Sequence, residues 1–85
     1  NYPNPFNPIT TIRYDLPEFT QVQISVFDLR GRRVRSLVNA EQSPGYKSVQ
    51  WDSANDHGAP VAAGIYFYTI QTDANRQTKK IVLLK

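Results

Sequence analysis

Apolar and polar residues alternate with a period of two in three stretches of the chain. Because successive side chains of a strand point to opposite faces, this alternation predicts half-buried β-strands. Pro17 ends the first strand, since proline cannot donate to the hydrogen-bond ladder. The inward-facing sets are predicted to be Ile12, Tyr14 and Leu16, then Val22, Ile24 and Val26, and then Lys47, Val49 and Trp51. Trp51 is the expected anchor of the core.

Two stretches near the C-terminus are apolar on both faces. The first places Tyr66, Tyr68 and Ile70 on one side, opposite Ile65, Phe67 and Thr69. The second, residues 79–85, carries four aliphatic residues between lysines. A strand buried on both faces is typical of a sheet interior, but it equally suits an edge that another protein covers. Lysines also protect edges against unwanted pairing, so both interpretations stay open.

The segments between these stretches carry turn residues. Residues 28–32 have Asp at the start and Gly31 where φ must turn positive, which predicts a short hairpin with a bulge. Val34 and Leu37 belong to its return strand or to an irregular segment, because their spacing of three breaks the alternation. Residues 39–45 carry a loop signal, residues 52–64 form a polar connection with a short strand expected near Val61, and residues 73–76 form a hairpin turn.

Strands at intervals of 8 to 12 residues, without a helical period, predict an all-β fold. We expect an antiparallel, immunoglobulin-like β-sandwich of six or seven strands. The length of 85 residues allows one hydrophobic core, and the 40% apolar composition is that of a globular domain. The chain contains no cysteine, so disulfides, thiolate metal sites and a cysteine nucleophile are excluded.

The sequence offers little support for catalysis or for a metal site. His57 is the single histidine, and one imidazole does not make a zinc site. Asp52, Asn55 and Asp56 could supply oxygen ligands to calcium, but their spacing differs from that of a calcium loop, and turn capping is the simpler interpretation. Serines 25, 36, 43, 48 and 53 have no evident base. We therefore expect no enzyme activity, no cofactor and no metal.

The basic charge raises nucleic-acid binding as a candidate function, and a small β-sandwich would also suit carbohydrate binding. The net charge is +3, with arginines at positions 30, 32, 33 and 35 clustered on the first hairpin. The aromatic residues lie in the most apolar strand, however, where burial is expected instead of base stacking. Trp51 is expected to pack between the sheets and not to form a sugar platform.

The first eight residues differ from the rest of the chain. They hold three of the six prolines, together with Tyr2 and Phe6. Proline restricts the backbone to extended conformations, so residues 1–8 are expected to form a stiff lead-in docked through its aromatic rings. Residues 9–85 would then form the domain itself.

Several segments, in this order, resemble a known family. They are the opening octet with Thr11-Ile12-Arg13-Tyr14, then residues 26–32, Trp51-Asp52, residues 64–68 and residues 80–85. Together they resemble the type A C-terminal sorting domain of the Bacteroidota type IX secretion system, which is related to the immunoglobulin-like domain of the flagellar hook-capping protein. The resemblance covers essentially the whole chain, and its specificity comes from the order of the segments.

The resemblance implies a seven-stranded sandwich that directs an upstream cargo across the outer membrane. Its expected partners are the translocon, the shuttle and the sortase, with passage through the periplasm to the cell surface or medium, and the domain is expected to be a monomer without nucleic-acid binding or membrane insertion. One departure is Ala63, where many relatives have Pro or Ser before the glycine. The recognition residues that the resemblance implies are Gly64, Tyr66, Lys80, Ile81, Val82, Leu83, Leu84 and Lys85.

Two alternatives to a sorting domain remain at this stage. A structural spacer or hook-cap-like module would have the same fold and no site. A carbohydrate-binding module would show Trp51 or a pair of tyrosines exposed on one plane.

Overall fold

The computed structural model describes residues 7–85, which form six strands and no helix. The strands are β1 (Thr10–Leu16), β2 (Thr20–Phe27), β3 (Arg33–Gln42), β4 (Gly45–Trp51), β5 (Gly64–Gln71) and β6 (Arg76–Leu83). The predicted all-β sandwich of six or seven strands is confirmed, with six in the described residues instead of the seven that the resemblance implies. Tyr2 and Phe6, the proposed docking side chains of the lead-in, lie outside the described residues.

The strands form two antiparallel sheets. One pairs β1 with β4, and the other has the order β3-β2-β5-β6. The larger sheet is twice as wide as the smaller one, and β3 and β6 are its two edge strands. The face of the larger sheet that packs on β1 and β4 is called the inner face below, and the opposite face is called the outer face.

Most core residues are ones that the alternation placed inward, and Ile81 and Leu83 of β6 join them, whereas Lys47 is only half-buried. One cluster joins Ile12 and Leu16 to the inner face of the larger sheet, and a second gathers around Trp51, which is completely buried. The indole ring meets the Tyr66 ring edge-on, with centroids 5.4 Å apart. Burial of an aliphatic side chain is worth about 1.5–3 kcal/mol, so these clusters supply most of the stability available to so short a chain.

Strand β3 explains why Val34 and Leu37 break the alternation. The pairing with β2 jumps from Val38 to Ser36 and from Arg35 to Arg33, so Leu37 and Val34 are each the extra residue of a β-bulge. A bulge adds one residue and returns the following side chain to the same face. Both residues consequently pack against the core. The loop expected from residue 39 begins later, because β3 continues to Gln42.

The connection between β4 and β5 is ordered by hydrogen bonds instead of by the strand expected near Val61. An isolated bridge joins Ala54 to Pro60, and the Trp51 Nε1–H donates to the Ala54 carbonyl at 2.8 Å. The Ser53 hydroxyl donates to the Pro8 carbonyl at 2.5 Å, which joins the start of the described chain to this loop. Residues 7–85 contain no helix long and apolar enough to cross a membrane.

Candidate recognition surface

The pairing of β5 with β6 brings together the two segments that were predicted to act in recognition. In this register Gly64 lies opposite Leu83, and Tyr66 lies opposite Ile81. Residues separated by 15 or more positions in the sequence therefore become direct neighbours. Leu84 and Lys85 continue the chain beyond β6.

Burial divides the predicted recognition residues into two groups. Tyr66, Ile81 and Leu83 are buried on the inner face, with at most 8% of their surface exposed. Their side chains pack in the core and are not available to a partner. The other group is open to solvent and consists of Gly64, Lys80, Val82, Leu84 and Lys85. Strand β6 is therefore an edge strand that buries Ile81 and Leu83 on its inner face and exposes its other side chains, and burial on both faces is not observed.

Tyr66 joins the buried side of β5 to the loop before it. Its hydroxyl donates to the Ala62 carbonyl at 2.6 Å, and its ring packs on Trp51. Burial, and to a smaller extent the negative charge of Asp28, raises the pKa of the Tyr66 phenol. The phenol thus stays neutral and keeps its proton available for the Ala62 carbonyl.

Gly64 begins β5 with a φ of 153°, a value that residues with a side chain rarely adopt. A Cβ at this position would meet no atom within 4 Å, so space is not the reason for a glycine here. The backbone conformation is the reason. Gly64 sets the direction in which β5 leaves the loop and hence the alignment of β5 with β6.

An apolar patch lies on the outer face beside the edge strand. Val82 is 56% exposed and pairs across the strands with Ile65, which is 39% exposed. Leu84, two residues after Val82, is 76% exposed. Phe67 and its partner Phe27 on β2 are half-buried in the same sheet. Ile65 and Phe67 are not among the recognition residues expected from the sequence. The apolar residues on the outward face of β5 nevertheless indicate that this face could contact a partner.

The arginine cluster on the first hairpin is largely paired with carboxylates. Three ion pairs join Arg32 to Asp28 at 3.0 Å, Arg33 to Asp56 at 3.4 Å and Arg35 to Asp52 at 3.1 Å. The pKa of Asp28 is lowered, chiefly because its carboxylate accepts the backbone N–H of Arg32, although desolvation opposes the shift. These arginines stabilise the hairpin and the neighbouring loop.

The oxygens considered as calcium ligands already accept hydrogen bonds. Asp52 Oδ1 accepts from the Ala54 N–H at 3.2 Å, and Asn55 Oδ1 accepts from the His57 and Ala59 N–H groups at 2.9 and 3.0 Å. Asp56 Oδ1 accepts from the Ser36 N–H at 2.9 Å and so holds the loop against the bulged part of β3. This geometry supports turn capping, and residues 7–85 contain no cluster of three or more potential metal-ligating side chains.

A groove of about 590 Å³ lies at the other end of the sandwich, between β1 and the β5–β6 hairpin. Ile70 and Leu16 contribute apolar surface to it, and side chains of both charges line its sides. The part of the chain that the structure describes brings no serine or histidine into this groove.

Comparison with known proteins identifies the family. Residues 1–84 match the family model described as "Secretion system C-terminal sorting domain". The chain belongs to this family. A search of curated proteins gave no match. Among solved structures, the chain is similar to the crystal structure of FlgD from P. aeruginosa, with a TM-score of 0.69 and 23% identity over 89% of the chain.

The similarity to FlgD shows a shared fold, and the aligned part makes up 58% of the FlgD chain. Family membership shows more. This sorting domain is a C-terminal signal for type IX secretion of an upstream cargo, it interacts with the secretion machinery, and it leads to export to the cell surface or the medium. The family is one of sorting signals and not of catalysts. The buried Trp51 also contradicts the idea that its ring forms a sugar-binding platform.

Proposed function

We propose that the secretion machinery recognises this sorting domain through the exposed side of the β5–β6 pair. Gly64, Ile65, Lys80, Val82, Leu84 and Lys85 form this surface, which we call the β6 surface. The observation that carries the proposal is the cross-strand register, because it gathers two distant segments and leaves aliphatic side chains of both strands in solvent. Exposed aliphatic groups that adjoin one another are typical of protein interaction sites.

The backbone of β6 supports the same conclusion. An edge strand presents unpaired N–H and C=O groups to which a further strand can add. The opposite edge of the sheet, β3, is interrupted by two bulges, which disturb the spacing that a partner strand needs. The ladder between β5 and β6 runs without a register shift from Gly64–Leu83 to Gln71–Arg76. The β6 edge is therefore regular along its whole length.

The proposal extends to the route of the protein. The domain acts as a monomer, without inserting into the membrane or binding nucleic acid, and is bound by the translocon and its shuttle after transit of the periplasm. A sortase then acts on the exported protein. Residues 1–8 form the lead-in from the upstream cargo and residues 9–85 the folded signal, an arrangement supported by the hydrogen bond from Ser53 to Pro8. The domain itself carries out no catalysis.

The test is export of a reporter fused in front of this chain in a bacterium with a type IX system. Deletion of residues 79–85 is a poor test, because it removes Ile81 and Leu83 from the core. The double variant Val82→Thr/Leu84→Ser instead changes two exposed side chains and leaves the core intact. We expect the exported fraction of the reporter to fall at least about tenfold, as for the loss of one interface hot spot.

The matched control is Tyr46→Ser, which removes an aromatic side chain that is 89% exposed on β4, in the other sheet. This variant should be exported like the original chain. Equal export of the double variant and the original, with both domains folded by circular dichroism, would show that the β6 surface is not recognised. It would then favour recognition elsewhere on the sandwich.

A further inference from the structure

The charges on β6 all have the same sign. The strand and the two residues after it contain Arg76, Lys79, Lys80 and Lys85 and no acidic residue. Among residues 7–85, no ion pair involves any of these four side chains. The Lys85 ammonium contacts the Val61 carbonyl, which accepts a hydrogen bond but carries no net charge. The edge is thus basic and its charge is not neutralised.

Successive side chains of β6 point to opposite faces, so these charges are divided between the two faces. Ile81 and Leu83 point to the inner face, so Arg76, Thr78, Lys80 and Val82 share the outer face. Lys79 lies on the inner side, where Asp15, Glu18 and Asp73 line the same groove and give a mixed charge. The outer face beside β6 is different: the partners on β5 are Ile65, Phe67, Thr69 and Gln71, none of which is charged.

We infer that the β6 edge pairs with an extended, acidic strand of a partner protein. This inference rests on the proposed function and adds the chemistry of the partner. Arg76 and Lys80 lie four residues apart, or about 13 Å along a strand. The partner should therefore present two carboxylates at this spacing on one face, and an aliphatic side chain opposite Val82 on the same face.

The same charges disfavour the other way of covering the edge. A second copy of β6 would place like charges against one another, and directly opposed like charges destabilise paired strands. The same positive charges that oppose self-association would attract a partner strand of opposite charge. A paired strand would also cover the exposed apolar side chains of Val82 and Ile65. A purely ionic contact would not require such an apolar patch.

The inference is tested with the 85-residue chain and synthetic probes. The first probe is a capped peptide of the length of β6 with glutamates at the second and sixth positions, valine at the eighth and threonine elsewhere. A second acidic peptide has the same residues in reverse order, so that both parallel and antiparallel pairing are tested. The control peptides replace glutamate by lysine, or insert a proline in the centre of the acidic peptide, where it prevents strand pairing.

Binding is followed by changes in backbone amide NMR signals at peptide concentrations up to about millimolar. We expect the acidic peptide, in one direction, to shift the amides of β6 and to bind about tenfold more tightly than the lysine peptide. Added salt should weaken this preference, because the paired charges are exposed. The variant Arg76→Glu/Lys80→Glu should reverse the preference, whereas Lys47→Glu on β4 should not.

Three results would overturn the inference. Equal binding of the proline-containing peptide would show ionic attraction without strand pairing. Equal shifts on addition of vesicles with anionic lipids would indicate a charged membrane surface as the target. Absence of β6 shifts with either acidic peptide would exclude this partner chemistry.

Export of the reporter separates this inference from the proposed function. Normal export of Arg76→Glu/Lys80→Glu, together with loss of export in Val82→Thr/Leu84→Ser, would refute the acidic partner and leave recognition of the β6 surface in place. Normal export of both variants would refute the proposed function. We expect both variants to lose export.

Discussion

Adjacent residues of β6 should respond very differently to the same substitution. Ile81 is 6% exposed and belongs to the Trp51 cluster, whereas Val82 is 56% exposed on the outer face. Changing either residue to threonine keeps the branched Cβ that favours a strand. Any difference between Ile81→Thr and Val82→Thr therefore reports on burial and not on strand propensity.

The magnitudes can be worked out from this geometry. Ile81→Thr removes the buried Cδ1 methyl, which costs about 0.5–1.5 kcal/mol, and replaces Cγ1 by a hydroxyl without an arranged partner, which costs about 1–3 kcal/mol. The total of about 1.5–4.5 kcal/mol is a large part of the roughly 4–13 kcal/mol expected for a chain of this length. At about 4–8 °C per kcal/mol, Tm should fall by at least about 6 °C. Val82→Thr should change the free energy of unfolding by no more than about 0.5 kcal/mol.

Urea unfolding followed by Trp51 fluorescence measures both variants, because the indole ring is buried in the folded state. Reporter export should separate their effects further. Export of Ile81→Thr should recover at lower growth temperature as the folded fraction rises, and export of Val82→Thr should stay low at any temperature. Equal losses of stability in the two variants would refute the assignment of Ile81 to packing and of Val82 to recognition.

Two further predictions concern Gly64 and Asp28. Gly64→Ala should lower the free energy of unfolding by about 1 kcal/mol or more in a urea titration, because alanine is strained at a φ of 153°; an unchanged midpoint would exclude a conformational need for glycine. The lowered pKa of Asp28 means that its contribution to stability is complete above the unfolded pKa near 3.8 and is lost as the pH falls through the folded value. The difference in urea midpoint between the original chain and Asp28→Asn should therefore shrink below about pH 4, and a constant difference would contradict this assignment.

The alternation of apolar residues predicted β1, β2 and β4 and the burial of Trp51 because these strands have one face in the core. The same reasoning failed at β3, since two bulges change the face that a given position occupies, and the bulges depend on the pairing with β2. It also could not decide between an interior and an edge position for β6. An apolar residue such as Val82 indicates that its strand face is covered by another surface. The sequence of one chain does not show whether that surface belongs to the same molecule.

Exposed apolar side chains occur elsewhere on the domain, so exposure alone does not distinguish the β6 surface. Phe19, Leu29 and Tyr46 are at least 60% exposed, but they lie in turns or on the smaller sheet. Such scattered residues are normal on a protein surface. Within residues 7–85, the β6 surface combines three features: aliphatic groups that adjoin across two strands, a regular edge and a charge without internal partners. A small domain needs most of its apolar residues in the core to fold. The exposure of this combination therefore favours the interpretation that a strand of another protein covers it.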